Sequence, residues 1–369
     1  MEPENVVHIA SQFATHGKPI SANRFGSGHI NDTYRVDTDG SDQEAYLLQR
    51  INAFIFKDVP KLMDNMSLVC CHIRKKFQDA GEKRPETRSV TIVPTTDGRS
   101  FFRSETGEFW RMFILLEDTW SYDTLETADQ AYAGGVAFGQ FQKQLSDLPA
   151  ENLHVILPRF HDISYRVDNL RSAIVCNKGK RADESEVRVL LEQIFSREAD
   201  IRAGFEKQIA KATPKRIIHN DTKFNNVLLN AAGEVQCVID LDTVMPGYVA
   251  YDFGDAIRTI INNGAEDDPY LDRITLNFPL FEAYTEGYLS QAKEFLTDAE
   301  VESLLFGVRL IPFLQVVRFI TDYIDGDVYY RVHYLDHNLV RAKAQLKLLL
   351  ELESNEEKLE KILNKALIS

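Results

Sequence analysis

The period of apolar and polar positions changes near residue 116. Before it, short apolar runs alternate with turn residues. Residues 20–24, 33–37 and 45–50 read as strands, broken by Gly26, Ser27 and Gly28 and by the turn from Asp37 to Gly40. Residues 89–93, 101–103 and 110–116 read as further strands, with Asp97-Gly98 and Thr106-Gly107 as hairpin turns. A short amphipathic helix over 4–16 precedes them. Between the two strand groups, Val59, Leu62, Met63, Met66, Val69, Cys70, Ile73 and Phe77 recur at helical spacing and predict one long helix over 58–79.

Beyond 116 the spacing is mostly helical. It predicts helices over 129–145, 163–175, 184–211, 253–262, 278–289, 298–324, 328–353 and 355–369. Gly134, Gly135 and Gly139 would let another element pack closely against the first of these. Pro279 suits the first turn of its helix, where no backbone N–H is needed. One polar loop between apolar strands, residues 217–242, interrupts the series. The expected class is α+β. A small β-rich N-lobe with one long helix spans 1–116, and a larger, mainly helical C-lobe spans 117–369.

Composition narrows the function. The net charge of −14 argues against nucleic acid as a partner, which would call for a basic patch. Cys70, Cys71, Cys176 and Cys237 have no metal-ligand spacing and read as free, mostly buried thiols. The N-terminal Met-Glu-Pro-Glu-Asn has neither a basic nor an apolar stretch, and no uninterrupted apolar run reaches membrane-spanning length. The expectation is a cytoplasmic, monomeric protein with small-molecule partners and no membrane.

The chemistry is concentrated in two spaced elements. His219-Asn-Asp-Thr-Lys-Phe-Asn-Asn226 puts a carboxylate and an amide on one short loop, and Val238-Ile-Asp-Leu-Asp242 follows as an apolar run carrying two acids. Asp221 is the candidate base that would accept the proton of an acceptor hydroxyl. Asn226 and Asp240 are candidate Mg2+ ligands, with Asp242 as a second ligand or neighbour. On a strand, Asp240 and Asp242 would share a face, which is costly for two acids without a cation. His219 is expected to brace the loop. Asp252 is expected to cap the following helix and anchor the loop from below, with Asp255 and Arg258 pairing at i, i+3.

Other candidates carry alternatives. The glycines of Phe25-Gly-Ser-Gly-His-Ile-Asn31 would let backbone N–H groups approach phosphates, or form a plain hairpin loop. His29 and Asn31 could reach the acceptor or nucleotide. Gln49 or Arg50 would have to supply a phosphate contact, since no Val-Ala-Ile-Lys is present, and the strand register decides which. Arg318 either pairs with Asp322 one turn on or binds acceptor oxygens. Tyr329 and Tyr330 are stacking candidates, or core aromatics.

These residues resemble a known family. His219 to Asn226 together with Ile239-Asp-Leu-Asp242 is similar to the aminoglycoside phosphotransferase and choline kinase superfamily, whose fold is protein-kinase-like. Phe25-Gly-Ser-Gly-His-Ile-Asn-Asp-Thr-Tyr34, Leu48-Gln-Arg-Ile-Asn52 and His219 to Lys223 resemble its N-acetylhexosamine 1-kinase subgroup. The resemblance implies transfer of phosphate from ATP, with Mg2+, to the anomeric hydroxyl of an N-acetylhexosamine. It implies Asp221 as base, Asn226 and Asp240 as metal ligands, and His29 and Arg318 as sugar contacts. It also places the adenine against backbone groups of Ile114, Leu115 and Leu116. An aminoglycoside, choline or another amino alcohol is the alternative acceptor. A protein kinase is disfavoured by the lack of His-Arg-Asp and Ala-Pro-Glu, and a dead nucleotide-binding scaffold by the joint presence of Asp221, Asn226 and Asp240.

Overall fold

The computed structural model describes residues 3–26, 30–40 and 45–368. The candidates Ser27, Gly28 and His29 lie outside the described residues. In chain order the elements are α1 (Pro3–Ala10), β1 (Pro19–Arg24), β2 (Asp32–Thr38), β3 (Tyr46–Ile51), α2 (Val59–Asp79), β4 (Ile92–Val93), β5 (Phe102–Arg103) and β6 (Phe109–Ile114). There follow α3 (Ala128–Leu145), α4 (Ile163–Cys176), α5 (Ser185–Phe205), β7 (Arg216–Ile218), β8 (Val227–Leu229), β9 (Val235–Val238) and β10 (Met245–Gly247). The chain closes with α6 (Val249–Ile260), α7 (Phe278–Ala292), α8 (Asp298–Asp325), α9 (His337–Ser354) and α10 (Glu356–Ile368).

The chain forms two compact units. The first takes Met1–Ser121, Asp147–Leu157 and Val227–Met245; the second takes Tyr122–Ser146, Pro158–Asn226 and Pro246–Ser369. The first holds a small antiparallel sheet with α1 and α2, and the second is larger and helical, which gives the expected α+β class.

In the first unit the sheet order is β1-β2-β3-β6-β4, with β5 also paired to β6. One face follows the period of two: Tyr34, Val36, Tyr46, Leu48, Trp110 and Met112 bury together with Val6, Ala10 and Phe13 from the N-terminal segment. β6 is buried on both faces, so its other face carries Arg111 and Phe113 inward as well. The long helix α2 starts where Asp58 accepts the Lys61 N–H at 3.2 Å and Pro60 occupies the first turn. The hairpin β8/β9 belongs to this unit and ends at Val238, before the acidic pair.

In the second unit, small residues set the helix crossings. A Cβ on Gly135 would lie 2.1 Å from the Tyr284 carbonyl oxygen, and one on Gly287 2.2 Å from that of Tyr132, so α3 and α7 meet backbone to backbone. The close packing expected at Gly135 and Gly139 is thus made by α7, while a Cβ on Gly134 would lie 2.9 Å from the Phe224 ring. Gly254 and Gly307 bring α6 and α8 together in the same way, with Cβ positions 2.3 and 2.0 Å from facing carbonyl oxygens. Capping boxes at Thr127/Gln130 and Thr297/Glu300 start α3 and α8, and Asn277 caps α7 ahead of Pro279.

Several expectations need correction. α6 begins at Val249, so Asp252 lies inside its first turn and Tyr248 is the N-cap. The helix expected from 328 begins at His337: Gly326 ends α8 in the left-handed region with φ 97, and the chain runs irregularly to Asp336. α8, interrupted by Arg309 and Arg318, is long and apolar enough to cross a membrane by length and composition, but 72% of its apolar window is buried by packing within the fold. Of the four free cysteines only Cys70 and Cys237 are buried; Cys71 and Cys176 are exposed.

Candidate active site

The candidate catalytic loop of the second unit hangs from two acids of α6. Buried Asp252 accepts the His219 N–H at 2.8 Å and the Asn220 N–H at 2.7 Å, and also the Gln142 Nε2 at 2.9 Å. Asp255 accepts the Thr222 N–H at 3.0 Å, and the Thr222 hydroxyl donates to the Asp252 carbonyl at 2.6 Å. Burial raises the Asp252 carboxyl above its ordinary range, against the stabilising charge and N–H groups of the loop. Asp255 pairs with Arg258 at 3.0 Å as the i, i+3 spacing predicted, and Arg258 also binds Glu266. His219 braces the loop: its ring is held edge-on to Phe138 and Phe141, and its Nδ1 accepts the Asp221 N–H at 3.3 Å.

This suspension presents Asp221, Lys223 and Asn226 together. The Lys223 ammonium lies 3.2 Å from Asp221 Oδ1, and the Asn226 Nδ2 donates to the Asp221 carbonyl at 2.9 Å and to Oδ2 at 3.2 Å. Burial alone would raise the Asp221 carboxyl, but the Lys223 charge, next the His219 ring and the hydrogen bonds outweigh it, so it lies below its ordinary value. Asp221 in turn raises the Lys223 ammonium. The result is an ionised carboxylate that can receive a proton. Because its nitrogen is committed to Asp221, the Asn226 amide turns Oδ1 the other way, an oxygen of the kind Mg2+ takes.

In the first unit, Asp240 and Asp242 are not on a strand. Asp240 is exposed and adopts φ 59, ψ 58, and Asp242 follows in a single 3-10 turn, Leu241–Thr243. The face-sharing argument therefore fails, and the two acids have different surroundings. Asp242 is buried. Its two oxygens receive Arg111 through Nη1 and through Nη2 at 2.9 Å, and Oδ2 also accepts the Asn31 Nδ2 at 2.6 Å. Left-handed backbone in a non-glycine residue is uncommon, and it occurs at Asp240 and at Asn220, immediately before Asp221.

The β3 register gives Gln49 and Arg50 different partners. Gln49 stands opposite Arg111, accepts its Nε at 3.0 Å and Nη2 at 2.8 Å, and donates to Thr33 at 3.0 Å. Arg50 turns to Asp32 and Glu108. The buried cation is thus Arg111, one strand away from the expected position, and its guanidinium is occupied by Asp242 and Gln49. Gly26 has φ 74, with nothing within 4 Å of a Cβ built on it. At the expected adenine stretch, the Ile114 N–H goes to Thr91 at 3.0 Å and the Leu115 N–H to Ala45 at 2.9 Å. The Leu116 carbonyl accepts the Thr119 hydroxyl at 2.8 Å.

Arg318 does not pair with Asp322. Asp322 accepts the backbone N–H groups of Val328, Tyr329 and Tyr330 at 2.7–2.9 Å, and the Asn338 amide, and so pins the segment after α8. Tyr329 is 57% exposed, and its ring sets edge-on to Tyr330. Arg318 lies 5.1 Å from the Phe160 ring and 5.5 Å from the Tyr330 ring, with Nη1 donating to Gln315. Arg166 meets it there, donating to the Phe160 carbonyl from Nε and Nη2.

Sequence reasoning missed Arg111, Arg166 and His161. Arg111 carried a signal, a lone charge inside an apolar strand. Arg166 and His161 carried none, because one looks like a surface residue of an amphipathic helix and the other like a loop residue.

Comparison with known proteins bears on the fold and the family. A model of the phosphotransferase enzyme family, APH, matches residues 21–287. Similar solved structures include an aminoglycoside phosphotransferase from Alicyclobacillus acidocaldarius subsp. acidocaldarius DSM 446, at TM-score 0.63 and 15% identity, covering 98% of this chain and 97% of that one. A microcompartment-associated aminopropanol kinase follows at TM-score 0.60 and 18% identity, covering 96% and 98%. An amicoumacin kinase in complex with AMP-PNP and Ca2+ matches at TM-score 0.57 and 12% identity, covering 95% and 94%. At these identities the structures speak for the fold, and the family match, which spans most of the chain, speaks for the chemistry: the chain belongs to the APH phosphotransferase enzyme family and is a small-molecule kinase.

Proposed function

We propose that the chain transfers the γ-phosphoryl group of ATP, with a divalent metal, to the anomeric hydroxyl of an N-acetylhexosamine. The observation that carries the reaction is the ionised Asp221, held by Lys223 and Asn226 on a loop suspended from Asp252 and Asp255. Asp221 takes the hydroxyl proton, the acceptor oxygen bonds to the γ-phosphorus, and the bond to the bridging oxygen breaks to release ADP. Asn226 through Oδ1 and Asp240 through its carboxylate are the oxygen donors that would hold Mg2+, which when bound neutralises phosphate charge. The sugar acceptor rests on the motifs from Phe25 to Tyr34 and Leu48 to Asn52.

A second reading, an amine-bearing acceptor, is favoured by the aminoglycoside and aminopropanol kinases among the similar structures. ADP release is measured with ATP, Mg2+ and N-acetylglucosamine, N-acetylgalactosamine, an aminoglycoside or an amino alcohol. Turnover restricted to the N-acetyl sugars is expected, and turnover restricted to the amines refutes the sugar assignment. Asp221→Ala should lower turnover by ~10²-fold or more while still binding nucleotide. A near-wild-type rate in that variant refutes Asp221 as the base.

A further inference from the structure

Two carboxylates stand on one short turn of the first unit, and only one of them is exposed. Asp240 faces solvent, whereas Asp242 is buried and takes both Nη groups of Arg111 and the Asn31 amide. Every N–H of the Arg111 guanidinium has a partner. Nε and Nη2 also reach Gln49 Oε1 at 3.0 and 2.8 Å, and Nη1 also faces Met66 Sδ at 3.9 Å. Arg111 therefore keeps no N–H for a phosphate. A buried ion pair is costly to break, so Asp242 is held where it is. Protein kinases pair the lysine of this strand with a glutamate from the neighbouring helix. Here β3 offers Gln49 and the buried face of α2 carries no acid, so the charge pair runs from β6 to the acid turn instead.

The far side of the same turn is held by α2. Asn65 is 2% exposed, on the helix face that buries Leu62, Met63, Met66 and Val69. Its Nδ2 donates to the Val244 carbonyl at 3.0 Å and to the His154 carbonyl at 2.8 Å, and its Oδ1 accepts the His154 N–H at 2.8 Å. Only an amide can give both of those bonds and take the third; an ionised acid would face two carbonyl oxygens with no proton to offer. Between these ties the backbone turns left-handed. Asp240 adopts φ 59, ψ 58, and the Val244 N–H closes the turn onto the Leu241 carbonyl at 3.2 Å. A non-glycine residue stays in that region where its surroundings impose it, and Asp242 and Val244 are the fixed points that follow Asp240. Asn31 carries the tie onward, since its Oδ1 accepts the Asn52 N–H at 3.0 Å.

We propose that Asn65, Asn31 and Arg111 brace the acid turn, so that Asp242 acts as a positioning residue and Asp240 is the carboxylate of this turn that takes the metal. This rests on the kinase reading and narrows its metal site, in place of the expectation that Asp242 is a second ligand. The brace acts on the metal through the backbone: loosening either tie lets Asp240 leave its left-handed conformation, and the carboxylate moves with it.

The test measures Mn2+ binding in the presence of ADP, read from the electron paramagnetic resonance of the free ion, for wild type, Asp240→Asn, Asp242→Asn, Asn31→Ala and Asn65→Ala. Asn31→Ala, Asn65→Ala and Asp242→Asn, which keeps one oxygen toward Arg111, should each weaken Mn2+ binding roughly tenfold, and Asp240→Asn should weaken it at least ~10-fold more than that. The Mg2+ concentration for half-maximal turnover should rise in step, with KM for the acceptor changed by less than about twofold. A loss in Asp242→Asn as large as in Asp240→Asn makes Asp242 a ligand and overturns the proposal. Unchanged Mn2+ binding in both alanine variants, whatever their stability, reduces the ties to structural ones and overturns it too. If Asn65→Ala does not fold, Asn31→Ala, whose side chain is only half-buried, decides alone. If wild type binds no Mn2+ with ADP, the metal of the proposed function fails, and the brace is judged by amide hydrogen exchange over residues 239–245 without metal. It stands if an alanine variant raises exchange there by ~10-fold or more, and falls if exchange is unchanged.

Discussion

Replacing Asp252 tests the claim that α6 suspends the candidate catalytic loop. Its Oδ2 accepts the His219 N–H and the Gln142 amide, and its Oδ1 accepts the Asn220 N–H. In Asp252→Asn only one oxygen remains. If it takes the Oδ2 position, the Asn220 N–H alone is orphaned and faces a new NH2 group. The opposite orientation orphans two donors, so the first should prevail. One buried unsatisfied donor costs about 1–3 kcal/mol. Asp252→Ala orphans all three and leaves a small void, which should cost roughly 3–5 kcal/mol. The same loss frees the backbone on either side of Asn220, whose left-handed conformation at φ 65 precedes Asp221. Turnover should therefore fall by ~10-fold or more in Asp252→Asn, with KM for nucleotide little changed, because misplacement of a reacting group by about 1 Å is costly. Urea unfolding and steady-state kinetics give the two readouts. An Asp252→Ala variant within about 0.5 kcal/mol of wild type would refute the hydrogen-bond argument. Lost stability with unchanged kcat would refute the link between suspension and catalysis.

Two further outcomes follow from buried charges. Arg111→Met leaves Asp242 buried beside Asn31 alone and should cost about 3–5 kcal/mol in urea unfolding, whereas Arg111→Met with Asp242→Leu should recover much of it. A double variant as unstable as the sum of the single ones refutes the pairing. His161 is held down to about 3 by burial and then by Arg318, below the ordinary 6.5 of the unfolded chain. For a base with a depressed folded value, stability is complete above about pH 6.5 and is lost as pH falls toward about 3, because the unfolded state binds the proton first. Between pH 6.5 and 5 this amounts to about 2 kcal/mol. His161→Gln should flatten that part of the stability profile, and an unchanged slope refutes it.

Much of this was legible because it is local. The run from His219 to Asn226 carries its acid, amide and flanking apolar residues within one loop, so the groups that meet are neighbours in sequence, although Asp252 and Asp255 hold that loop in place. Capping residues such as Asp58, Thr297 and Asn277 likewise act within one turn. The acidic pair was harder to read. The apolar run through Val238 and Ile239 looks like a strand, but pairing with β8 stops at Val238, and Asp240 turns left-handed.

The sequence by itself determined the reaction type, the identity of the base candidate and the α+β class, because spacing of residue types fixes helix, strand and loop locally. Only the tertiary structure decided which charges neutralise each other. Arg111 finds Asp242 across 131 positions, and Gln49 joins them through β3–β6 register. Asp322, one helical turn from Arg318, is claimed instead by the backbone of residues 328–330. Electrostatic partnership depends on distance in space, and the period of a sequence carries that distance only as far as the next turn or two.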